Sequence, residues 1–103
     1  MNAMELHQKA MDLCNNARFS DDIGESKKLY LTALEYEELA IPLVNDNHPF
    51  KSMFVMSAAS IAYYNLNDIV KSMFYIEMGL AFEMPQLYDV NKFQRLKDDV
   101  LKI

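Results

Sequence analysis

Two glycines, three prolines and one cysteine in 103 residues leave this chain few turn formers and no internal disulfide. Scarce Gly and Pro favour a few long helices over many short strands. The lone thiol, Cys14, lacks the further ligands a thiolate metal site needs, and it fits a reducing compartment. His7 and His48 stand in different segments without H-x-x-H or H-E-x-x-H spacing, which argues against zinc. No G-x-x-x-x-G-K, G-x-G-x-x-G or G-x-S-x-G motif occurs, so neither a phosphate cradle nor a nucleophile elbow is expected. No apolar run approaches the roughly 18 residues of a membrane span. The start, MNAMELHQKAMDLCNNA, lacks the basic opening and continuous apolar core of a signal peptide. Met1 suggests a complete small protein, with the cytosol as its default location. The expectation is a protein without catalysis, cofactor or metal.

What is present is apolar and helical in pattern. Apolar residues make up 51% of the chain and charged ones 24%, a globular balance for one domain. Eight methionines with six Phe and six Tyr give a soft, bulky core, and methionine also suits adaptable binding faces. A net charge of −5 argues against nucleic acid and anionic membrane as partners.

Polar punctuation divides five helices. The first is expected at about 3–20, with Leu6, Ala10, Leu13, Cys14 and Ala17 on one stripe and His7 off it in solvent. Cys14 on the packing stripe reads as a buried hydrophobe. After a turn at Ser20–Gly24, the second runs over about 24–44, with Leu29, Ala33, Tyr36, Ala40 and Leu43 inward and Tyr30 and Leu34 widening that stripe. Pro42 predicts a kink, or an early end near Ala40. Asn45-Asp46-Asn47-His48-Pro49 breaks the chain, with Asn47 or His48 as N-cap of a third helix at about 49–65. That helix is apolar on several sides, as a central one packed on two neighbours would be. Asn67 is expected to cap a fourth at about 68–83, with Ile69, Met73, Ile76 and Leu80 on one stripe and Val70, Phe74 and Ala81 on the next. Gly79 within it costs about 1 kcal/mol against Ala, which close helix contact would offset. Pro85 opens a fifth at about 86–102, with Leu87, Val90, Phe93, Leu96, Val100 and Ile103 inward.

Between Met53 and Gln86, Tyr63 stands near the end of one helix, Ser72 and Gly79 are small positions in the next, and Pro85 follows. That order resembles a tetratricopeptide repeat, whose unit is about 34 residues. Residues 3–44 resemble a degenerate unit, because Ala33-Leu34 comes three positions early. A similar pattern occurs in the three-helix microtubule-interacting-and-trafficking domain. The resemblance implies an all-α, five-helix antiparallel hairpin stack with the right-handed superhelix of that repeat family. It also implies a protein–protein interaction module that grips a peptide or protein, or self-associates as a homodimer. In such stacks the first helix of each pair lines the concave face. Lys51, Val55 and Tyr64, turned from the core stripe of the third helix, are the partner-binding candidates. Tyr63, Tyr75 and Asn67 are further groove candidates, with core or edge packing as the alternative.

Two other readings compete. Lys92, Arg95, Lys97 and Lys102 on the fifth helix suggest nucleic-acid or ribosome association, which the interspersed Asp89, Asp98 and Asp99 oppose. Glu35 and Glu38, three apart, suggest a carboxylate metal site completed by Asp12 or Glu77. Di-metal bundles ask for Glu-x-x-His motifs, which are absent. Glu35, Glu37 and Glu38 otherwise read as a solvated face with edge charges.

Overall fold

The computed structural model describes residues 1–82 and 87–102, with the side chains of 87–89 left aside. All regular elements among them are helical: α1 (Ala3–Arg18), α2 (Ile23–Ala40), α3 (Lys51–Ser60), α4 (Ile69–Leu80) and α5 (Leu87–Leu101). A 3-10 turn (Ile41–Leu43) follows α2 and a π-turn (Ile61–Asn65) extends α3. Helices adjacent in sequence pack on one another, and α5 also lies against α3. The described residues span 41 × 37 × 19 Å, a slab about two helix diameters thick.

Short polar side chains start most of these helices. Asn2 and Glu5 form a reciprocal cap on α1, with Glu5 N–H donating to Asn2 Oδ1 at 2.8 Å. Asp22 accepts from Glu25 N–H at 3.1 Å and caps α2. Gly24, expected in the turn, lies inside the first turn of α2 at ordinary negative φ. Asp68, not Asn67, caps α4, accepting from Lys71 N–H at 3.0 Å. Asn67 sits just before it at φ 53°, the left-handed region that asparagine tolerates. The third helix starts later than its Pro49 signal, and His48 Nδ1 accepts the Phe50 N–H at 3.2 Å. Pro42 acts as expected: α2 ends at Ala40, and the chain passes through a 3-10 turn. Pro85 and Ile103, expected at the start and on the inner face of the last helix, lie outside the described residues, as does the side chain of Leu87.

One core joins all five helices. Leu6, Ala10, Leu34, Ile41, Phe54, Val55, Ile76, Phe93 and Leu96 are all buried in it. Leu13 and Leu80, expected inward, pack half-buried at its edge. The inner face of α2 keeps Ala33 and Ala40 of the expected stripe buried and shifts toward its Leu34 side. Leu34, Glu37 and Ile41 are buried, while Leu43 is exposed and Tyr36 half-buried. The small positions of α4 permit close approach. Ser72 Oγ donates to Ala59 O at 3.0 Å, and a Cβ on Gly79 would drive into the Phe93 ring. Val70 and Phe74, read from sequence as a second buried stripe, face solvent, because α3 and α5 cover only the opposite side of α4.

Candidate functional site

The feature least legible in the sequence is a buried acid–imidazole pair. Glu37, three residues beyond Leu34, falls on the inner face of α2, where it has no exposed surface. His7, expected in solvent, is nine-tenths buried on α1. Its Nδ1 lies 2.8 and 2.9 Å from the two Glu37 oxygens, so the imidazole and the carboxyl group share a hydrogen bond at this nitrogen. The antiparallel α1–α2 hairpin brings the start of one helix to the end of the other, as Ser26 Oγ donating to Ala17 O at 2.8 Å confirms at the far end. The His7 ring tilts against Phe54 of α3 at 5.2 Å between centroids. Burial pushes the Glu37 carboxyl above the ordinary carboxylate range, and its hydrogen bonds with His7 and Ser57 pull it back in part.

His7 borders a cleft of about 890 Å³. One wall is α1, contributing His7, Met11, Cys14 and Arg18 at spacings of four, three and four. The floor is α3 and its π-turn, through Met53, Met56, Ser57 and Tyr64. The second wall is α5, with Lys92, Arg95 and Leu96. The cleft exists because α1 packs on α2 and makes little contact with α3 or α5. With Nδ1 on Glu37, His7 Nε2 has no partner side chain among the described residues. No buried side-chain nitrogen or oxygen there is left unsatisfied, so Nε2 keeps access to the cleft. The Cys14 thiol is pushed up to about 11, by burial first and then by the Glu37 charge, with Arg18 acting in the other direction. It is a protonated wall group and not a ready nucleophile.

The sequence candidates fare unevenly. Tyr64 is exposed on the cleft and its hydroxyl donates to Asp99 Oδ2 of α5 at 3.0 Å. Val55, expected to turn outward, has no exposed surface, because α3 is covered by α2, α4 and α5. Lys51 is also buried, its Nζ donating to Val44 O at 2.9 Å and pairing with Asp46 at 3.0 Å, so it fastens the loop before α3. Tyr63 reaches Asp99 O at 3.3 Å. Tyr75 is buried and donates to Glu38 Oε2 at 2.5 Å. Glu38 also receives Lys71 Nζ at 3.4 Å, so it bridges α2 to α4 instead of pairing with exposed Glu35. Among the described residues no three His, Cys, Asp or Glu side chains converge as metal ligands, and no helix is long and apolar enough to cross a membrane. The signal that could have found His7 and Glu37 is their spacing: His7 follows Leu6 and stands three before Ala10, and Glu37 lies three after Leu34 and four before Ile41. Each is polar within the arc a neighbouring helix covers.

No protein-family model, curated protein or solved structure matches this chain.

Proposed function

We propose that this protein is a small helical interaction module that binds a segment of a protein partner in the cleft between α1, α3 and α5. The observation that carries the reading is the cleft itself: three helices present aligned side chains, rich in methionine, to a space of about 890 Å³ that the chain does not fill. Methionine side chains repack around differing apolar groups at little cost. The odd-numbered helices line most of this cleft, with Tyr30 of α2 beside them, much as the first helix of each pair does in a tetratricopeptide stack. The resemblance over 53–86 therefore supports both the hairpin superhelix and the binding role. Of the three residues expected to touch a partner, Tyr64 remains the candidate, joined by Met53 and Met56.

The test is site-specific photo-crosslinking. A benzophenone side chain placed at Met56 in the full chain should give discrete adducts with host protein, and Met53→Arg in the same chain should abolish them. The same probe at Lys28, exposed on α2 away from the cleft, should give none. Equal labelling from the two positions, with circular dichroism unchanged, would remove the proposal.

A further inference from the structure

We infer that the cleft takes an amphipathic α-helix of a partner protein, apolar on the buried side and acidic along its flanks. The inference rests on the cleft being the binding site and adds the conformation and charge of its occupant.

Shape gives the conformation. On α1 the lining runs His7, Met11, Cys14, Arg18, three turns of one face or about 16 Å at the helical rise. On α3 it runs Met53, Met56, Ser60 and Tyr64, again one face. Two such faces, with α5 beyond, make a trough of the kind a further helix fills by ridge-into-groove packing. An apolar face reading i, i+3 or i+4, i+7 is what such a groove recognises.

Charge gives the flanks. The chain carries −5 overall, yet the cleft is bordered by Arg18 on one wall and by Arg95 on the other, with Asp99 the acid in its lining. Asp99 already accepts the Tyr64 hydroxyl. Cations on both walls face both flanks of an inserted helix, so carboxylates there find complementary charge wherever the helix leaves the trough. A basic helix would meet repulsion on each side. Between the walls, His7 offers one polar atom, Nε2, held in place from behind by Glu37. An inserted carboxylic acid, hydroxyl or amide can pair with it, which fixes the register of the helix along α1. The exposed Val70 and Phe74 of α4 do not line this cleft, so the inference does not extend to them.

The experiment pans the full-length protein against a displayed library of 18-residue helical peptides. Core positions are limited to large apolar residues, and flank positions are free to be Glu, Lys or Gln. The expected outcome is enrichment of Glu at both flanks and a rise in helicity when a selected synthetic peptide binds. Affinity should fall about tenfold in the double variant Arg18→Glu/Arg95→Glu, with weakening by salt. Lys27→Glu, an exposed change on α2, should leave binding unaltered, and circular dichroism confirms that each variant folds. Selected peptides with neutral or basic flanks, or binding without a gain in helicity, would overturn the acidic helix while leaving the cleft as a binding site. Binders insensitive to both Met53→Arg and charge reversal would remove the cleft as well. A concentration-dependent dimer in sedimentation that Met53→Arg dissolves would make a second copy of the chain the occupant, and would also overturn the inference.

Discussion

At the residue scale, the pair His7–Glu37 sets the chemistry of the interior. A carboxylate without exposed surface tolerates ionisation only beside a donor, and His7 supplies it. Replacing His7 by Leu leaves that acid buried with only the Ser57 contact. The expected cost is about 3–5 kcal/mol near neutral pH, read by urea denaturation. Glu37→Gln keeps an acceptor for Nδ1–H and removes the charge. The folded-state affinity of Glu37 for a proton is raised, so the native protein holds that proton more tightly than the unfolded chain does. Its contribution to stability is therefore fully present below the unfolded value, near 4.5, and is lost as pH rises through the folded one. Relative to wild type, Glu37→Gln should gain stability over that window, and two denaturation curves that stay parallel across it would contradict the assignment. Cys14 gives a second check. With its thiol near 11 against an ordinary 9.0, thiolate at neutral pH is about 100-fold scarcer than for a free cysteine. Alkylation by iodoacetamide should be markedly slower in the folded protein than in denaturant, where the thiol is both exposed and more acidic.

At the element scale, α4 shows how one missing side chain sets a helix crossing. Gly79 is a poor helix former, and Gly79→Ala at a free surface position would gain about 1 kcal/mol. Here the new methyl enters the Phe93 ring, and Phe93 has no exposed surface into which it could swing. The substitution should destabilise by about 1–3 kcal/mol in spite of its better propensity. Adding Phe93→Leu should return part of that loss, a non-additivity that thermal melts of the four variants measure. The close contact was legible from Gly79 in a helical stripe; its partner was not, because nothing local says that Phe93 lies opposite. The caps show the same limit at finer grain. Asn67 and Asp68 are both good N-cap residues, and the π-turn before them decides which takes the role. It carries Asn67 into left-handed φ and leaves Asp68 extended enough for its carboxylate to reach Lys71 N–H.

At the scale of the whole molecule, one core runs through five helices, so unfolding should be a single cooperative transition. Phe54, almost fully buried between α1 and the rest and in ring contact with His7, is where that continuity is most exposed to damage. Phe54→Ala should cost about 3–5 kcal/mol, a large share of the roughly 5–15 kcal/mol a small domain commands. Fluorescent probes in α1 and α5 should report the same lowered midpoint; separate midpoints would mean that the α1–α2 hairpin melts independently. The sequence alone determined that the chain is helical and where it breaks, because periodicity, prolines and capping residues act through neighbours a few positions away. Only the tertiary structure decided that Val55 and Lys51 are inside and that Val70 and Phe74 are outside. It alone placed Glu37 against His7 across thirty residues, and left α1 standing off α3 to open a cleft. A stripe on one helix fixes which way that helix is amphipathic, but the angle at which its neighbours approach fixes how much of the stripe is covered, and that angle comes from packing all five helices at once.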